Sequence, residues 1–298
     1  MSETKRCLVC GSDSLIEHFS ATDSLVSGDS FRIMGCSDCG FVFTSDPPDE
    51  KNIGTYYMSE NYISHTDRKR NLTEVLYHFA RRFMLRKKSR LVAHVCRKKN
   101  GTLLDIGSGT GYFASYMKEK GWSVKGVEIN DRARDFSVSH FGLDVIPPEM
   151  ISSLPDRSFD CITLWHVLEH FYNPDQWMQE IHRLLKDDGR CILALPNIAS
   201  ADSKRFRNSW AALDVPRHLW HFAPDTLFKF IERHQFRCSL IKGMPLDLFY
   251  ISIISYKNSR ARFAFIRGVA TAILLSVRNI FAGNSSSSLI YVIEKNRV

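Results

Sequence analysis

The sequence predicts an α/β fold, a doubly wound and mostly parallel sheet preceded by a small four-cysteine ribbon. Three observations predict it. From Gly101 onward, short apolar runs alternate with stretches of helical spacing, the pattern of a parallel sheet covered by helices on both faces. The first of those runs closes on a glycine-rich turn, Gly107-Ser108-Gly109-Thr110-Gly111, where a helix N-terminus offers free N–H groups to a ligand. Ahead of it, the first 46 residues are turn-rich and carry two CxxC pairs. At 298 residues the chain suits about two domains. Its 44% hydrophobic and 24% charged residues exclude disorder, collagen and coiled coil.

Residues 1–46 form the ribbon, with alternations such as FRIMG and FVFTS that suit small hairpins, and Pro47-Pro48 end it. Residues 47–100 form a linker and a basic amphipathic helix. There Leu72, Val75, Leu76, Phe79, Phe83, Leu91 and Val95 follow helical spacing, with basic residues between them. Residues 101–298 carry the α/β domain. TLLDIG is its first strand and FASYMKEKG the following helix; SVKGVEIN is the second strand and residues 131–141 the second helix. FDCITLW reads as a strand, PDQWMQEIHRLLKDDG as a helix and RCILALPN as a strand. A helix near Pro224–His234, a strand around Arg237–Lys242 and the terminal strand SLIYVIEK follow, with a hydrophobic basic insertion near 257–284. In such sheets ligands sit beyond the carboxyl ends of the strands.

Cys7-Leu-Val-Cys10-Gly and Cys36-Ser-Asp-Cys39-Gly are two knuckles separated by 25 residues. Each turns tightly enough to aim two thiolates at one point. Four thiolates about 2.3 Å from a Zn2+ ion make a closed structural site with no open position for catalysis. A domain this small draws folding energy from such a metal. The single Cys96, Cys161, Cys191 and Cys238 read as buried small apolar residues in a reducing compartment. Charge is divided along the chain. Residues 1–50 hold three basic and nine acidic residues, while residues 68–99 hold twelve basic residues against Glu74. The basic block suits nucleic acid, anionic lipid or an anionic substrate, or a solvated helix face beside an acidic domain.

Glu128 ends the second strand about 20 residues after the loop, where an acid accepts hydrogen bonds from ribose hydroxyls. The loop reads GxGxG, with Tyr112 where the dinucleotide fingerprint has its last glycine, and this disfavours a nicotinamide cofactor. LDIGSGTGYFA, with Asp105 ahead of the loop, resembles the first motif of class I S-adenosylmethionine-dependent methyltransferases. GVEIN is similar to their second motif. LPDRSFDCITLWHVLEHFYNPDQWMQEIHRLLKDDGRCILALPN is similar to their fourth- and fifth-strand region. The ribbon, the segment carrying Tyr56, Tyr57 and Tyr62, and the stretch PRHLWHF resemble one branch of that superfamily. The resemblance covers nearly the whole chain except roughly residues 257–284. It implies a Rossmann-like, seven-stranded sheet and S-adenosylmethionine as methyl donor. It further implies that Asp105, Gly107, Ser108, Gly109, Gly111 and Tyr112 surround the methionine portion. Glu128 would take the ribose and Ile129 the adenine, with Glu149 or Met150 near the adenine and Trp165 bordering the site.

Trp165-His166-Val167-Leu168-Glu169-His170 follows the fourth strand and is expected to border the donor's methyl group. An oxygen acceptor must lose a proton, and a histidine near neutral pKa suits that task. His166 is the first candidate, then His170, then His218 of PRHLWHF. HxxEH with a distant histidine also suits a divalent metal at His166, Glu169 and His170, and the same side chains suit a structural role at a helix entry. Tyr56, Tyr57, Tyr62, Trp210 and Trp220 suit an acceptor pocket or core packing equally.

Ala261–Gly283 is apolar with Arg262, Arg267 and Arg278, which suits a helix lying on anionic lipid, a buried cap or a dimer face. The expected address is cytoplasmic, because the first residues lack signal-peptide features, and the lipid-lying alternative for Ala261–Gly283 would add peripheral contact on the inner membrane face. The expected reaction is O-methylation of a small-molecule, sugar or glycan, or lipid-linked acceptor. Three other classes stand beside it: an RNA-binding or RNA-methylating protein, a non-catalytic sensor of S-adenosylmethionine, and a nicotinamide oxidoreductase. The acidic ribbon argues against the first of these.

Overall fold

The computed structural model describes residues 6–57, 72–281 and 285–296. Tyr62, basic residues 68–70 and Gly283 lie outside the described residues. The ribbon strands are β1 (Leu15–Thr22), β2 (Ser30–Cys36) and β3 (Val42–Thr44). Then come α1 (Leu72–Cys96), β4 (Thr102–Ile106), α2 (Tyr112–Glu119), β5 (Ser123–Val127), α3 (Asp131–Phe141) and β6 (Asp144–Ile146). β7 (Phe159–Trp165), α4 (Pro174–Leu184), β8 (Leu185–Pro196), α5 (Ala201–Phe206) and β9 (Trp220–His221) follow. The chain closes with α6 (Pro224–Arg233), β10 (Phe236–Gly243), α7 (Asp247–Asn258), α8 (Ala264–Phe281) and β11 (Ser288–Lys295).

A seven-stranded sheet runs in the order β10-β11-β8-β7-β4-β5-β6. β4 pairs in parallel with β5 and with β7, and β5 with β6. Leu103, Leu104 and Ile106 of β4 are buried, as expected of a strand covered on both faces. From β4 the chain winds outward through β5 and β6, then returns to place β7 on the other side of β4. The strand order therefore reverses between β4 and β7, where doubly wound sheets bind ligands.

The chain divides into two compact units. One comprises His65–Trp165, Asp175–Leu193 and Val292–Val298; the other comprises Met1–Ser64, His166–Pro174 and Ala194–Tyr291. Within the first, the Asn130 side chain caps α3 by accepting the Ala133 N–H at 3.0 Å. Gly142, with φ +58°, ends that helix in the left-handed conformation. The helix expected over residues 174–189 stops at Leu184, and Leu185 already belongs to β8. Asp187, Asp188 and Gly189 are poor helix formers. The N–H groups of Arg157 and Ser158 also take the carbonyls of Arg183 and Leu184, both at 2.9 Å.

In the second unit β9 completes a four-stranded sheet in the order β1-β2-β3-β9. Phe41 stacks on Trp220 at 6.1 Å and lies 5.2 Å from Phe222, which gives the ribbon an aromatic core that its own strands could not bury. α7 and α8 approach so closely that a Cβ on Gly268 would lie 2.6 Å from the Ile253 Cα. Cys161 and Cys191 are buried as expected, whereas Cys96 and Cys238 are half-buried. Among the described residues, no helix is long and apolar enough to cross a membrane.

Candidate active site

The donor-type residues gather in the first unit, around the carboxyl end of β4. Gly107, Gly109 and Gly111 have φ of +68°, +54° and +79°. A side chain at Gly111 would also meet the Leu143 Cδ1 at 2.7 Å, whereas nothing lies within 4 Å of a Cβ placed at Gly109. The loop is thus packed at one glycine and open at another. Glu128 Oε2 accepts the Gly109 N–H at 2.7 Å and Oε1 accepts the Asn130 N–H at 2.9 Å. These bonds fix the carboxylate while each oxygen keeps a lone pair for a further donor.

Asp105 is 2% exposed, and the Thr163 hydroxyl donates to its Oδ1 at 2.6 Å. Burial pushes its carboxyl up to about 7, against the opposing pull of the Thr163 hydroxyl and Lys88. Trp165 packs edge-on against Phe113 at 5.4 Å with the Lys88 ammonium 4.1 Å from its ring. Its indole N–H is buried and, among the described residues, has no hydrogen-bond partner. Ile129 is 69% exposed, an open apolar surface beside Glu128.

These features fit S-adenosylmethionine: a buried carboxylate for an ammonium, a second at the ribose position, an exposed aliphatic for a base and an unanswered N–H donor. Other expected residues sit differently. Tyr112 packs against Phe141 at 5.1 Å, under the Arg81 guanidinium at 3.7 Å. Ser108 Oγ is buried, and a Cβ at Gly126 would lie 2.8 Å from it. Glu149 and Met150 are exposed on a short 3-10 turn, Pro148–Ser153.

The acceptor-type residues gather in the second unit. His166 directly follows the end of β7, with φ +59° and its N–H on the Ala194 carbonyl at 3.0 Å. A non-glycine residue in the left-handed region carries strain of the kind found at functional positions. Its Nδ1 lies 3.4 Å from Glu169 Oε1 and its Nε2 3.4 Å from Asp247 Oδ2. Burial works against protonation, but the two carboxylates outweigh it and lift His166 to about 9. The form that can accept a proton is therefore the minor one at neutral pH.

Burial, helped by the charge of His218, holds His170 down at about 4. Its Nδ1 lies 2.9 Å from the Arg217 carbonyl and 3.0 Å from the Tyr57 hydroxyl. His218 Nδ1 lies 2.9 Å from the Ala212 carbonyl. Glu169 is 1% exposed; burial opposes its ionisation, but His166 and His218 hold its carboxyl below the ordinary range.

Three aromatics named from the sequence serve the scaffold. Trp210 is buried and donates to Asp202 at 2.7 Å, Trp220 donates to the Phe171 carbonyl at 2.6 Å, and the Tyr56 hydroxyl donates to Asp29 at 3.0 Å. Asp247 and Thr163 escaped the sequence reading. An acid at a helix start and a threonine inside an apolar strand carry no local signal of their partners.

Cys7, Cys10, Cys36 and Cys39 place their sulfurs within 4.8 Å of one another, with Cys7–Cys39 and Cys10–Cys36 both at 3.5 Å. A tetrahedron with bonds of about 2.3 Å needs edges of about 3.8 Å. The knuckles repeat one geometry: Gly11 N–H reaches the Cys7 carbonyl and Gly40 N–H the Cys36 carbonyl, each at 2.9 Å. The donor set and spacing fit zinc.

A family model described as a methyltransferase domain matches residues 76–240, more than half the chain. Among curated relatives, a ubiquinone biosynthesis O-methyltransferase of Nitrosomonas europaea is 30% identical over 95 residues, 30% of this chain and 40% of the relative. The enzyme of the same name from Pseudomonas paraeruginosa is 28% identical over 104 residues, 32% of this chain and 44% of the relative. The match thus spans less than half the length of either relative. A solved structure of Burkholderia thailandensis 1,6-didemethyltoxoflavin-N1-methyltransferase is similar at TM-score 0.47 and 15% identity, covering 88% of this chain and 98% of its own.

Proposed function

The chain belongs to the methyltransferase-domain family, and from that membership we propose that it methylates an oxygen of a small-molecule, glycan or lipid-linked acceptor. When bound, S-adenosylmethionine supplies an electrophilic methyl group on a sulfonium. Asp105 holds the ammonium of the donor, Glu128 its ribose hydroxyls, and Ile129 and Trp165 the flat and polar parts that remain. His166 takes the proton that the acceptor oxygen loses, and Asp247 and Glu169 stabilise the imidazolium so formed. One observation carries this reading: a strained histidine between two carboxylates stands immediately after Trp165 in the chain.

The ribbon is read as a closed zinc site with a structural role, ending near residue 46, ahead of the helical segment that leads into the α/β domain. The exposed face of α8 favours a lipid-linked acceptor. Ile266, Ile273, Leu274 and Val277 are each more than half exposed on one stripe, with exposed Arg267 and Arg278 along its edge. An apolar stripe edged with arginine suits an anionic bilayer surface.

The test follows radiolabelled methyl from S-adenosylmethionine into the lipid, aqueous small-molecule, protein and nucleic-acid fractions of a cell extract. The expected label is in the lipid or small-molecule fraction. Label in RNA alone would overturn the acceptor assignment.

A further inference from the structure

We propose that Glu169, His170 and His218 form a second metal centre, a two-histidine, one-carboxylate site for a divalent first-row cation. The ligand atoms of these three residues lie within 4.8 Å of one another. The set differs from the sequence expectation in taking His218 in place of His166.

The carboxylate makes the first argument. Glu169 is 1% exposed, and among the described residues its only close polar neighbour is His166, whose Nδ1 at 3.4 Å from Oε1 falls outside good hydrogen-bond geometry. Buried carboxylates are normally satisfied by donors or by a metal. Imidazoles surround it, with His166 Nδ1 at 3.4 Å and His218 Nε2 at 4.0 Å from Oε1.

The histidines make the second. His170 Nδ1 and His218 Nδ1 each lie 2.9 Å from a backbone carbonyl, those of Arg217 and Ala212. A carbonyl can only accept, so each Nδ1 carries a proton, and in the neutral ring Nε2 is then the nitrogen that offers a lone pair to a metal. A backbone carbonyl on one ring nitrogen is how proteins orient a histidine whose other nitrogen binds a metal. The Tyr57 hydroxyl, 3.0 Å from His170 Nδ1, adds to that support.

His166 is excluded by its surroundings, because each of its nitrogens faces a carboxylate. A cation at about 2.1 Å from nitrogen and oxygen ligands draws the three atoms to about 3–3.5 Å, a small inward movement of side chains. The mixed nitrogen and oxygen set suits Mn2+, Fe2+ or Zn2+, and three protein ligands leave positions open for an oxygen ligand from solution. The Asp214 carboxylate also lies 3.9 Å from His218 Nε2.

The probe is Mn2+, which soft thiolates bind poorly, so the cysteine cluster stays silent. The 298-residue chain, purified with its ribbon loaded with zinc, is titrated while electron paramagnetic resonance reads free Mn2+. The expected result is saturable binding of about one Mn2+ per chain, weakened at least ~10-fold in Glu169→Gln and in His218→Gln and retained in His166→Gln. Mn2+ should also raise the thermal midpoint of the wild type and leave that of Glu169→Gln unmoved. Circular dichroism and zinc content establish that each variant is folded. Absence of saturable Mn2+ binding to the wild type, or equal binding by both folded ligand variants, would overturn the proposal.

Discussion

Arg217 and Asp23, 194 residues apart in sequence, form a buried ion pair at 2.9 Å, with side chains 1% and 0% exposed. The same guanidinium donates to Asp214 at 2.7 Å and to the Tyr56 carbonyl at 2.8 Å. The PRHLWHF segment is thereby fastened to the loop between the first two ribbon strands, and His218 is held next to the fastening.

Removing Arg217 should therefore be severe. Arg217→Met leaves Asp23 buried without its cation, a loss of about 3–5 kcal/mol. Burial opposes ionisation of Asp23, but Arg217 and backbone N–H groups hold its carboxyl below the ordinary range. The stabilisation from this pair is present at neutral pH and is lost as pH falls through that lowered value. Urea unfolding at neutral pH checks the mutant, and a loss under about 1 kcal/mol would show the pair to be no stronger than an exposed one.

Asp105 predicts a pH dependence of donor binding. Its carboxyl sits at about 7, so between about pH 4 and pH 7 the folded chain holds a proton that the unfolded chain has released. Stability from this group accordingly falls as pH rises through that window. Donor affinity runs the other way, because an ammonium needs the ionised form. Affinity should rise from about pH 6 to about pH 8, with proton uptake by buffer on binding at the lower pH. Calorimetry in two buffers measures both. Asp105→Asn should weaken donor binding at least ~10-fold and flatten the profile; a wild-type profile already flat would contradict the role.

The cysteine cluster predicts a metal-dependent ribbon. Cys36→Ser should lower zinc content from about one ion per chain to near none and destabilise the sheet of β1, β2 and β3. Atomic absorption and thermal unfolding read the two effects. A metal-free wild type as stable as the zinc-loaded protein would remove the structural role.

What the sequence made legible divides by range. The glycine loop, Glu128 and the paired knuckles are local patterns whose spacing is visible in the sequence; in the structure Glu128 accepts the Gly109 N–H and the four sulfurs lie together. The end of α4 is not legible, because apolar spacing continues through Leu184-Leu185 while the carbonyls there are taken by the N–H groups of Arg157 and Ser158. Long-range pairings were invisible. HxxEH and PRHLWHF each announced histidines, but nothing in either segment indicates that His218 meets Glu169 and His170, or that Asp247 meets His166. Such meetings depend on how segments far apart in the chain pack, which residue type and spacing do not encode.

The central claim is that donor binding and proton removal belong to different residues, and one variant separates them most directly. His166→Gln keeps the size and polarity of the side chain but cannot take a proton. Transfer of labelled methyl from saturating S-adenosylmethionine into an extract fraction should fall about 100-fold or more, with donor affinity unchanged by equilibrium dialysis. Wild-type transfer by His166→Gln would contradict the account, and so would a loss of transfer explained entirely by lost donor binding.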